Sequence, residues 1–297
     1  MRCSYFIGLV LSLAITNSTH AMAPNDGMPL WLAKSSANLT GYDSPMLGPA
    51  QIFGHENLVF SDRTSFLVFS FTPSGLNIPD TAYLMKIGAS GQTLSTWSLT
   101  GDHGNVVEVT TDQNNNIIVV YRGPGNNSFF ICKHSSVNGD QLDFSAQLGC
   151  APLMLNYDYF VYADVMVQAD GKILFITEGY IPATQQSLER YELHAARFNM
   201  DGTLDNSYGS MGIAVSSLGS RAWIYNSRLA SNGKLVVAGL KGKPGRAFIH
   251  RVSTSGIVDA TWSAATWNWP VSDKDDNWDI VQDFDLIDDP KSAEDDI

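Results

Sequence analysis

Four copies of one sequence pattern recur along this chain, each roughly 50 to 60 residues long. Each copy opens with a short turn followed by a run of aliphatic, β-branched or aromatic residues, which is typical of a β-hairpin. The openings are Arg63-Thr64-Ser65 before FLVFSF, Asn114-Asn115-Asn116 before IIVVY, Asp170-Gly171-Lys172 before ILFI, and Asn232-Gly233-Lys234 before LVVAG. The Asp-Gly and Asn-Gly pairs predict two-residue turns with positive φ at both central positions, whereas the first two copies lack the glycine and predict a different turn.

A second marked segment follows each opening and ends in a glycine. A basic or histidine residue stands five positions before that glycine, and an aromatic residue follows it by five or six positions. The glycines are Gly91, Gly139, Gly202 and Gly256, the basic positions are Lys86, His134, Arg197 and Arg251, and the aromatic positions are Trp97, Phe144, Tyr208 and Trp262. Agreement of these features in four places indicates a true repeat.

Each copy predicts four antiparallel strands, which are clearest in the third copy. Its strands are VYADVMVQ, ILFI after the Asp170-Gly171 turn, HAARF, and a fourth that runs through the Tyr208-Gly209 region. Four-stranded sheets that each need a neighbour to cover their faces are typical of propeller blades. The predicted fold class is therefore all-β, a small β-propeller of five four-stranded blades with the last blade shared between the N- and C-termini.

The shared blade depends on two half-repeats at the ends of the chain. WLAKSSANLTGYD, from Trp31, is similar to strands three and four, and NWDIVQDFDL, from Asn277, is similar to strand one. Pairing the two ends leaves no exposed sheet edge, which removes an aggregation hazard. An open or oligomeric array of four and a half repeats is the alternative.

The third copy also resembles a known sequence repeat. VQADGKILF, followed by ARFNMDGTLDNSYGSMGIAV, is similar to the delta-60 repeat, which occurs in tandem in secreted and surface bacterial proteins. The fourth copy matches with modest departures and the first two match only in pattern, so the specific resemblance covers Val161 to Trp262. It implies a propeller-like β-fold and a bacterial host. It implies no reaction, because the family brings no catalytic residues.

Residues 1–23 predict a signal peptide, because Arg2 precedes an apolar run from Tyr5 to Ile15 and small residues suited to cleavage follow. The propeller repeats then occupy residues 24–285, and residues 286–297 form an acidic tail. The apolar run is too short to cross a bilayer. We therefore expect a secreted or periplasmic protein with no transmembrane segment, and the sequence does not choose between the two compartments.

The net charge indicates which partners to expect, and the cysteines indicate whether a disulfide forms. The net charge is −12 and much of it lies at the C-terminal end, which repels phosphate, so nucleic acid is not an expected partner. Cys132 and Cys150 remain after export and predict one disulfide, with two free thiols as the alternative. We expect a monomer, and no cofactor beyond a structural Ca²⁺.

Polar residues recur at one register of the predicted first strands, eight positions before the end of each opening turn. In a propeller the first strand lies innermost, so this register predicts a ring of oxygen ligands near the central channel, suited to Ca²⁺ or to a water cluster. In the alternative, each polar side chain hydrogen-bonds the backbone of the next blade. The ring consists of Asn57, Glu108, Asp164, Asn226 and, with one deletion, Asp279.

Asn199-Met200-Asp201-Gly202-Thr203-Leu204-Asp205 is a second candidate metal site, since oxygen side chains alternate before a glycine turn. The segment has no glutamate to end a calcium loop. A hairpin whose later aspartate, Asp205, caps a turn is therefore the favoured interpretation.

The connections that lead into the first strands lie on one face by the symmetry of the repeat. They carry aromatic and charged residues, which suit a face that binds a glycan, a peptide or a protein. Packing at the blade junctions is the alternative for Trp223 and Tyr159. The predicted face consists of Asp102, His103, Tyr157, Asp158, Tyr159, Arg221, Trp223 and Trp278.

No known catalytic motif stands on these repeats: the chain has no HExxH, no GxSxG elbow, no P-loop and no dinucleotide fingerprint. We therefore predict a secreted, non-enzymatic propeller that binds an unknown glycan, peptide or protein. The alternative is an exported hydrolase or lyase at the channel mouth that uses Asp102, His103, Glu108 and Asp164.

Overall fold

The computed structural model describes residues 51–59, 64–72, 81–99, 106–123, 125–144, 149–185, 187–242 and 246–259. These residues form strands and turns, so the protein is all-β. Among them there is no helix long and apolar enough to cross a membrane. The predicted signal peptide, the shared blade and the acidic tail lie outside the described residues, as do Asp102, His103, Trp278 and Asp279.

The chain forms two compact units, Met1–Thr100 and Gly101–Ile297. The described residues of the first unit form an antiparallel sheet, the first sheet, in the order β1-β2-β3-β4. Its strands are β1 (Gln51–Val59), β2 (Ser65–Thr72), β3 (Thr81–Ile87) and β4 (Thr93–Ser98).

The described residues of the second unit form three more antiparallel sheets, which follow the chain in order except that the last strand of the second sheet returns to pair with its third. The second sheet has β5 (Val106–Thr111), β6 (Ile117–Arg122) and β7 (Ser128–His134), and both β8 (Gln141–Leu142) and β9 (Cys150–Met154) pair with β7. The third sheet has β10 (Tyr159–Val167), β11 (Ile173–Ile181), β12 (Arg190–Phe198) and β13 (Ile213–Gly219). The fourth sheet has β14 (Ala222–Leu229), β15 (Leu235–Lys241) and β16 (Arg246–Val252).

The third sheet contains the predicted first three strands, but its fourth strand begins later than predicted. The Tyr208-Gly209 region is a turn, in which the Tyr208 N–H donates to the Asp205 carbonyl and the Gly212 N–H donates to the Tyr208 carbonyl. Gly209 and Gly212 adopt positive φ of 56° and 92°, so this region is not extended. The fourth strand, β13, therefore starts at Ile213.

The opening turns differ from the prediction in their type. In the third copy only Gly171 has positive φ, and its N–H donates to the Gln168 carbonyl, so a type I turn is followed by a single left-handed residue. The second copy makes the same turn with Asn115 at φ 61° in the glycine position. Asparagine tolerates this conformation better than most side chains, which explains how a copy without the glycine keeps the turn.

Strand pairing corrects the basic position of the second repeat. In the register of β7, Lys133 rather than His134 occupies the position that Arg197 holds in β12, because the turn before Gly139 is one residue longer. With this correction the basic residue precedes the aromatic residue by 11 positions in all four copies. Lys133 lies over the Phe144 ring at 5.4 Å and Arg197 over the Tyr208 ring at 4.4 Å.

The core of the second unit lies between the sheets. One apolar cluster joins the second and third sheets and another joins the third and fourth, so the third sheet is covered on both faces. Side chains alternate along β11: Ile173 and Phe175 face the second sheet, and Leu174 and Ile176 face the fourth. The first strand β10 lies against β5 and β14, the first strands of the neighbouring sheets.

The predicted disulfide is present in the second sheet. Cys132 of β7 and Cys150 of β9 are directly paired in the antiparallel ladder and their sulfurs are bonded. The bond therefore fixes β9, the segment that leads into the third sheet, to the centre of the second sheet.

Candidate binding site

A row of four aromatic side chains crosses from the third sheet to the fourth, and we call it the aromatic row. Tyr159, Tyr180 and Tyr191 are cross-strand partners on β10, β11 and β12. Their ring centroids are 4.8 Å and 5.2 Å apart, and Trp223 of β14 continues the row 5.7 Å from Tyr191. Aromatic pairs at these separations attract one another beyond the area they bury.

The position of these residues at the ends of their strands makes the row partly accessible. Tyr159 begins β10, Tyr180 is next to last in β11, and Tyr191 and Trp223 are second in β12 and β14. Tyr159 is 40% exposed and Tyr191 is 8% exposed, while Tyr180 and Trp223 lie between these extremes. The row therefore runs from solvent into the joint between the third and fourth sheets.

Carboxylates flank the aromatic row. The Tyr180 hydroxyl donates to Oε2 of Glu189 at 3.4 Å, and the backbone N–H of Asp158 donates to the Tyr180 carbonyl at 2.9 Å. Burial and the negative charge of Glu189 raise the pKa of Tyr180. Flat ring faces beside hydrogen-bond acceptors can stack on a ligand and bind its hydroxyl or amino groups.

Glu178 lies next to the row, on the same face of β11 as Tyr180. The side chain is fully buried, and its Oε2 accepts a hydrogen bond of 2.5 Å from the Ile224 N–H of the fourth sheet. No described residue hydrogen-bonds Oε1. Burial raises the pKa of Glu178 to about 8, against the lowering effect of the Ile224 hydrogen bond.

Of the residues predicted to form one binding face, those that the structure describes do not all lie on the same side of the third sheet. Tyr159 and Trp223 belong to the aromatic row, and Asp158 and Arg221 are exposed in the connections beside it. Tyr157 departs from the prediction of an exposed face. Its ring is buried on the opposite side of the third sheet, 5.2 Å from the His194 ring. It fits there because the residue beneath it on β11 is Gly179, where a Cβ would lie 2.1 Å from the ring.

The predicted polar ring is out of register in the first sheet. Glu108, Asp164 and Asn226 are each the fourth paired residue before their hairpin, whereas Asn57 is the third. The alignment fails because Ser65 is already paired with Val59, so the turn ends one residue earlier than predicted.

Hydrogen bonds account for Asp164, the best-connected member of the predicted ring. Its Oδ2 accepts from the Tyr162 hydroxyl at 3.0 Å and from the Ser227 hydroxyl of the next sheet at 2.5 Å. Asn226 instead accepts from Arg228 at 2.6 Å. Within the described residues, no group of three or more His, Cys, Asp or Glu side chains is placed to hold a metal ion.

The second predicted metal site is a hairpin with a capped turn. Oδ1 of Asp205 accepts from the Ser207 N–H at 3.0 Å and from its hydroxyl at 2.6 Å, and Oδ2 pairs with Arg197 at 2.8 Å and Lys172 at 3.0 Å. The Ser207 hydroxyl, together with these two cations, holds the pKa of Asp205 well below its usual range. Both oxygens are therefore engaged within the protein.

Sequence reasoning missed Tyr180, Tyr191 and Glu178. The signal that could have found them is departure from the repeat, since conserved features of a repeat mark the scaffold. At the position of Glu178, the strand register gives Ser70, Arg122 and Leu240 in the other three sheets. A residue that matches none of its counterparts is a candidate for function.

Comparison with known proteins gives general structural likenesses. No family model and no curated protein matches the chain, so the delta-60 resemblance stays a prediction. A crystal structure of a protein of unknown function from Dyadobacter fermentans DSM 18053 is similar at 12% identity and TM-score 0.44, over 69% of this chain and 68% of that one. A GH43 β-1,3-galactosidase solved with galactodeoxynojirimycin is similar at 8% identity and TM-score 0.39, over 70% of this chain and 74% of that one. Neither likeness identifies a ligand or an activity for this chain.

Proposed function

We propose that this protein is a secreted, non-enzymatic binding protein with a small five-bladed propeller fold, whose last blade is shared between the chain ends. Antiparallel sheets that follow the chain in order except at β9, with first strands adjacent and the third sheet covered on both faces, support the fold. The Cys132–Cys150 disulfide supports export, because such bonds persist in oxidising compartments.

The aromatic row is the observation that carries the binding function. Single tyrosines and tryptophans are often partly exposed, but here four aromatic rings lie in one contiguous row that leaves Tyr159 two-fifths exposed and ends in the partly buried Trp223. The adjacent carboxylates, Asp158 and Glu189, offer hydrogen-bond acceptors to a ligand stacked on the rings. Stacking surfaces beside acceptors favour a glycan, with a peptide or a partner protein as the alternative ligands.

The test is a double substitution, Tyr159→Ala with Trp223→Leu, assayed on panels of immobilised oligosaccharides and peptides. We expect the wild-type protein to bind oligosaccharides and the variant to lose at least about tenfold in affinity, because the stacking surface is gone. The melting temperature is expected to fall by less than about 10 °C, since Trp223→Leu keeps an apolar side chain in the joint but leaves part of the tryptophan volume unfilled.

Tyr225→Ala is the matched control, because Tyr225 is an exposed aromatic residue of β14 that is 38% accessible and lies outside the row. Undiminished oligosaccharide binding by the double variant would refute the site. Equal losses in the double variant and the control would refute the role of the row itself.

A further inference from the structure

Glu178 makes one cross-sheet hydrogen bond at a point that determines the position of Trp223. Its partner, the Ile224 N–H, belongs to the residue that follows Trp223 in β14. Trp223 packs against Tyr191, and Glu178 lies on the same face of β11 as Tyr180. The hydrogen bond of Glu178 thus links β11, which carries Tyr180, to β14, which carries Trp223.

The full burial of Glu178, and not its hydrogen bond, disfavours the charged form, because the Ile224 N–H can donate to the carboxyl group in either protonation state. No described cation pairs with Glu178, and no described residue hydrogen-bonds Oε1. An ionised carboxylate in this place would carry an uncompensated charge in an apolar joint, which costs several kcal/mol. Water must enter the joint, or β14 must move away from it, once the charge forms.

We propose that Glu178 is a positioning residue for the aromatic row, which holds β14 and Trp223 against the third sheet while it is protonated and releases them when it ionises. The inference rests on the proposed function in one respect: if the row binds a ligand, that binding is expected to weaken as the pH rises. The release of β14 itself involves no ligand and can be measured without one.

The groups that face Glu178 from the surrounding strands are mainly tyrosines. Tyr162 is its direct partner on β10, with Asp164 beyond the hydroxyl of Tyr162, and Tyr191 faces it from β12. Burial raises the pKa of both tyrosines further above neutrality. On β14 the contacting residues, Ile224 and Trp223, do not titrate. A change between pH 6.5 and pH 9 at this joint is therefore assigned to Glu178.

Hydrogen exchange of the full secreted protein tests the inference without any ligand. We expect protection of the Ala222–Leu229 segment to fall at least about tenfold between pH 6.5 and pH 9, after correction for the intrinsic pH dependence of exchange. The Leu235–Lys241 strand of the same sheet is the internal reference and is expected to keep its protection. Equal protection of both segments at every pH would overturn the proposal.

Glu178→Gln is the matched variant, because the amide keeps an acceptor for the Ile224 N–H and cannot ionise. We expect this variant to retain protection of β14 at pH 9. A fall equal to that of the wild type would overturn the proposal. If the variant does not fold, the comparison of two segments within the wild-type protein still decides the question.

The optical signal of Trp223 gives a second readout, obtained by subtracting the emission of Trp223→Phe from that of the wild type. A red shift of this difference spectrum between pH 6.5 and pH 9, absent in Glu178→Gln, is expected. Failure of the double variant Tyr159→Ala with Trp223→Leu to alter oligosaccharide binding would refute the proposed function alone. Unchanged exchange and emission would refute the positioning role alone.

Discussion

Among the buried ionisable side chains at the joint between the third and fourth sheets, Arg197 and Glu178 differ clearly in the number of their hydrogen-bond partners. At the turn end, Arg197 donates to Asp205 at 2.8 Å, to the Thr254 carbonyl at 2.6 Å and to Ser207 at 3.2 Å. At the aromatic end, Glu178 is more completely buried and has the single hydrogen bond from Ile224. The Arg197 end of the joint, which we call the saturated end, thus has several hydrogen-bond partners for its buried charge, whereas at the Glu178 end Oε1 has no described partner.

The difference separates scaffold from function. The arrangement around Arg197 recurs in the fourth sheet, where Arg251 pairs with Asp259 at 2.6 Å across the same eight-residue spacing. A paired charge that two copies share is a structural device of the repeat, although the first two copies have Leu94 and Gln141 in place of the aspartate. Glu178 has no counterpart, and an under-satisfied polar group that occurs once is the pattern expected where function has been given priority over stability.

The largest expected effect is at the saturated end. Arg197→Met keeps the alkyl length and removes the charge, which leaves the buried Asp205 carboxylate with Lys172 as its only described cation. We expect the free energy of unfolding to fall by about 3 kcal/mol, measured by urea denaturation at pH 7. Arg190→Met is the matched control, since the Arg190 side chain is 40% exposed in its pair with Glu192, against 7% for Arg197, and its loss is expected to cost about 1 kcal/mol or less. Equal losses in the two variants would show that burial does not distinguish these pairs.

The aromatic end is expected to show a pH-dependent effect of intermediate size. The pKa of Glu178 is about 8 in the folded protein and near its ordinary value of 4.5 in the unfolded chain, so the folded state holds the extra proton between these values. The free energy of unfolding therefore falls as the pH rises through this window, by at most about 1.4 kcal/mol per pH unit, and the stabilising proton is fully present only below pH 4.5.

Glu178→Gln removes this dependence because the amide does not titrate. We expect the variant to gain roughly 2 to 3 kcal/mol over the wild type between pH 5 and pH 8.5, measured by urea denaturation at each pH. Glu189→Gln is the control, because it removes a carboxylate from the same row at a partly exposed position. A wild-type slope unchanged by Glu178→Gln would show that the buried acid is not the group responsible.

The repeat allowed much of the scaffold to be predicted. It located the first three strands of the third sheet, because hairpin turns and alternating apolar residues are local signals. The Cys132–Cys150 bond was predicted separately, from two cysteines that remain in a chain expected to be exported. The repeat misplaced the start of the fourth strand, because the turn around Tyr208 is fixed by Asp205 and not by local β-propensity.

The site was harder to predict, because it depends on which strand faces are brought together. Tyr159 and Trp223 were singled out from the connections, but their link runs through Tyr180 and Tyr191, which join them only once β10, β11 and β12 are paired in register. Tyr157 shows the reverse failure. It is two residues from Tyr159 in the chain, and the path into β10 places it on the other face, over Gly179.

The smallest expected effect is at the point where the turns of the third and fourth sheets meet, next to the Thr254 carbonyl that Arg197 binds. The Gly209 N–H donates to the Ser255 carbonyl at 2.8 Å, and a Cβ added to Gly256 would lie 2.5 Å from the Gly209 nitrogen. Gly233, in the opening turn of the same sheet, has the same φ of 79° but its nearest neighbour is a Thr254 methyl group at 3.3 Å.

Gly256→Ala and Gly233→Ala therefore carry the same backbone strain and differ in steric contact with the third sheet. We expect Gly256→Ala to cost about 1 to 2 kcal/mol more than Gly233→Ala in urea denaturation, because backbone cannot yield as a methyl group can. The excess measures how tightly the saturated end holds the two sheets together. If the two variants are equally stable, the close contact of the turns is not part of what holds the joint, and the contrast with the Glu178 end depends on Arg197 alone.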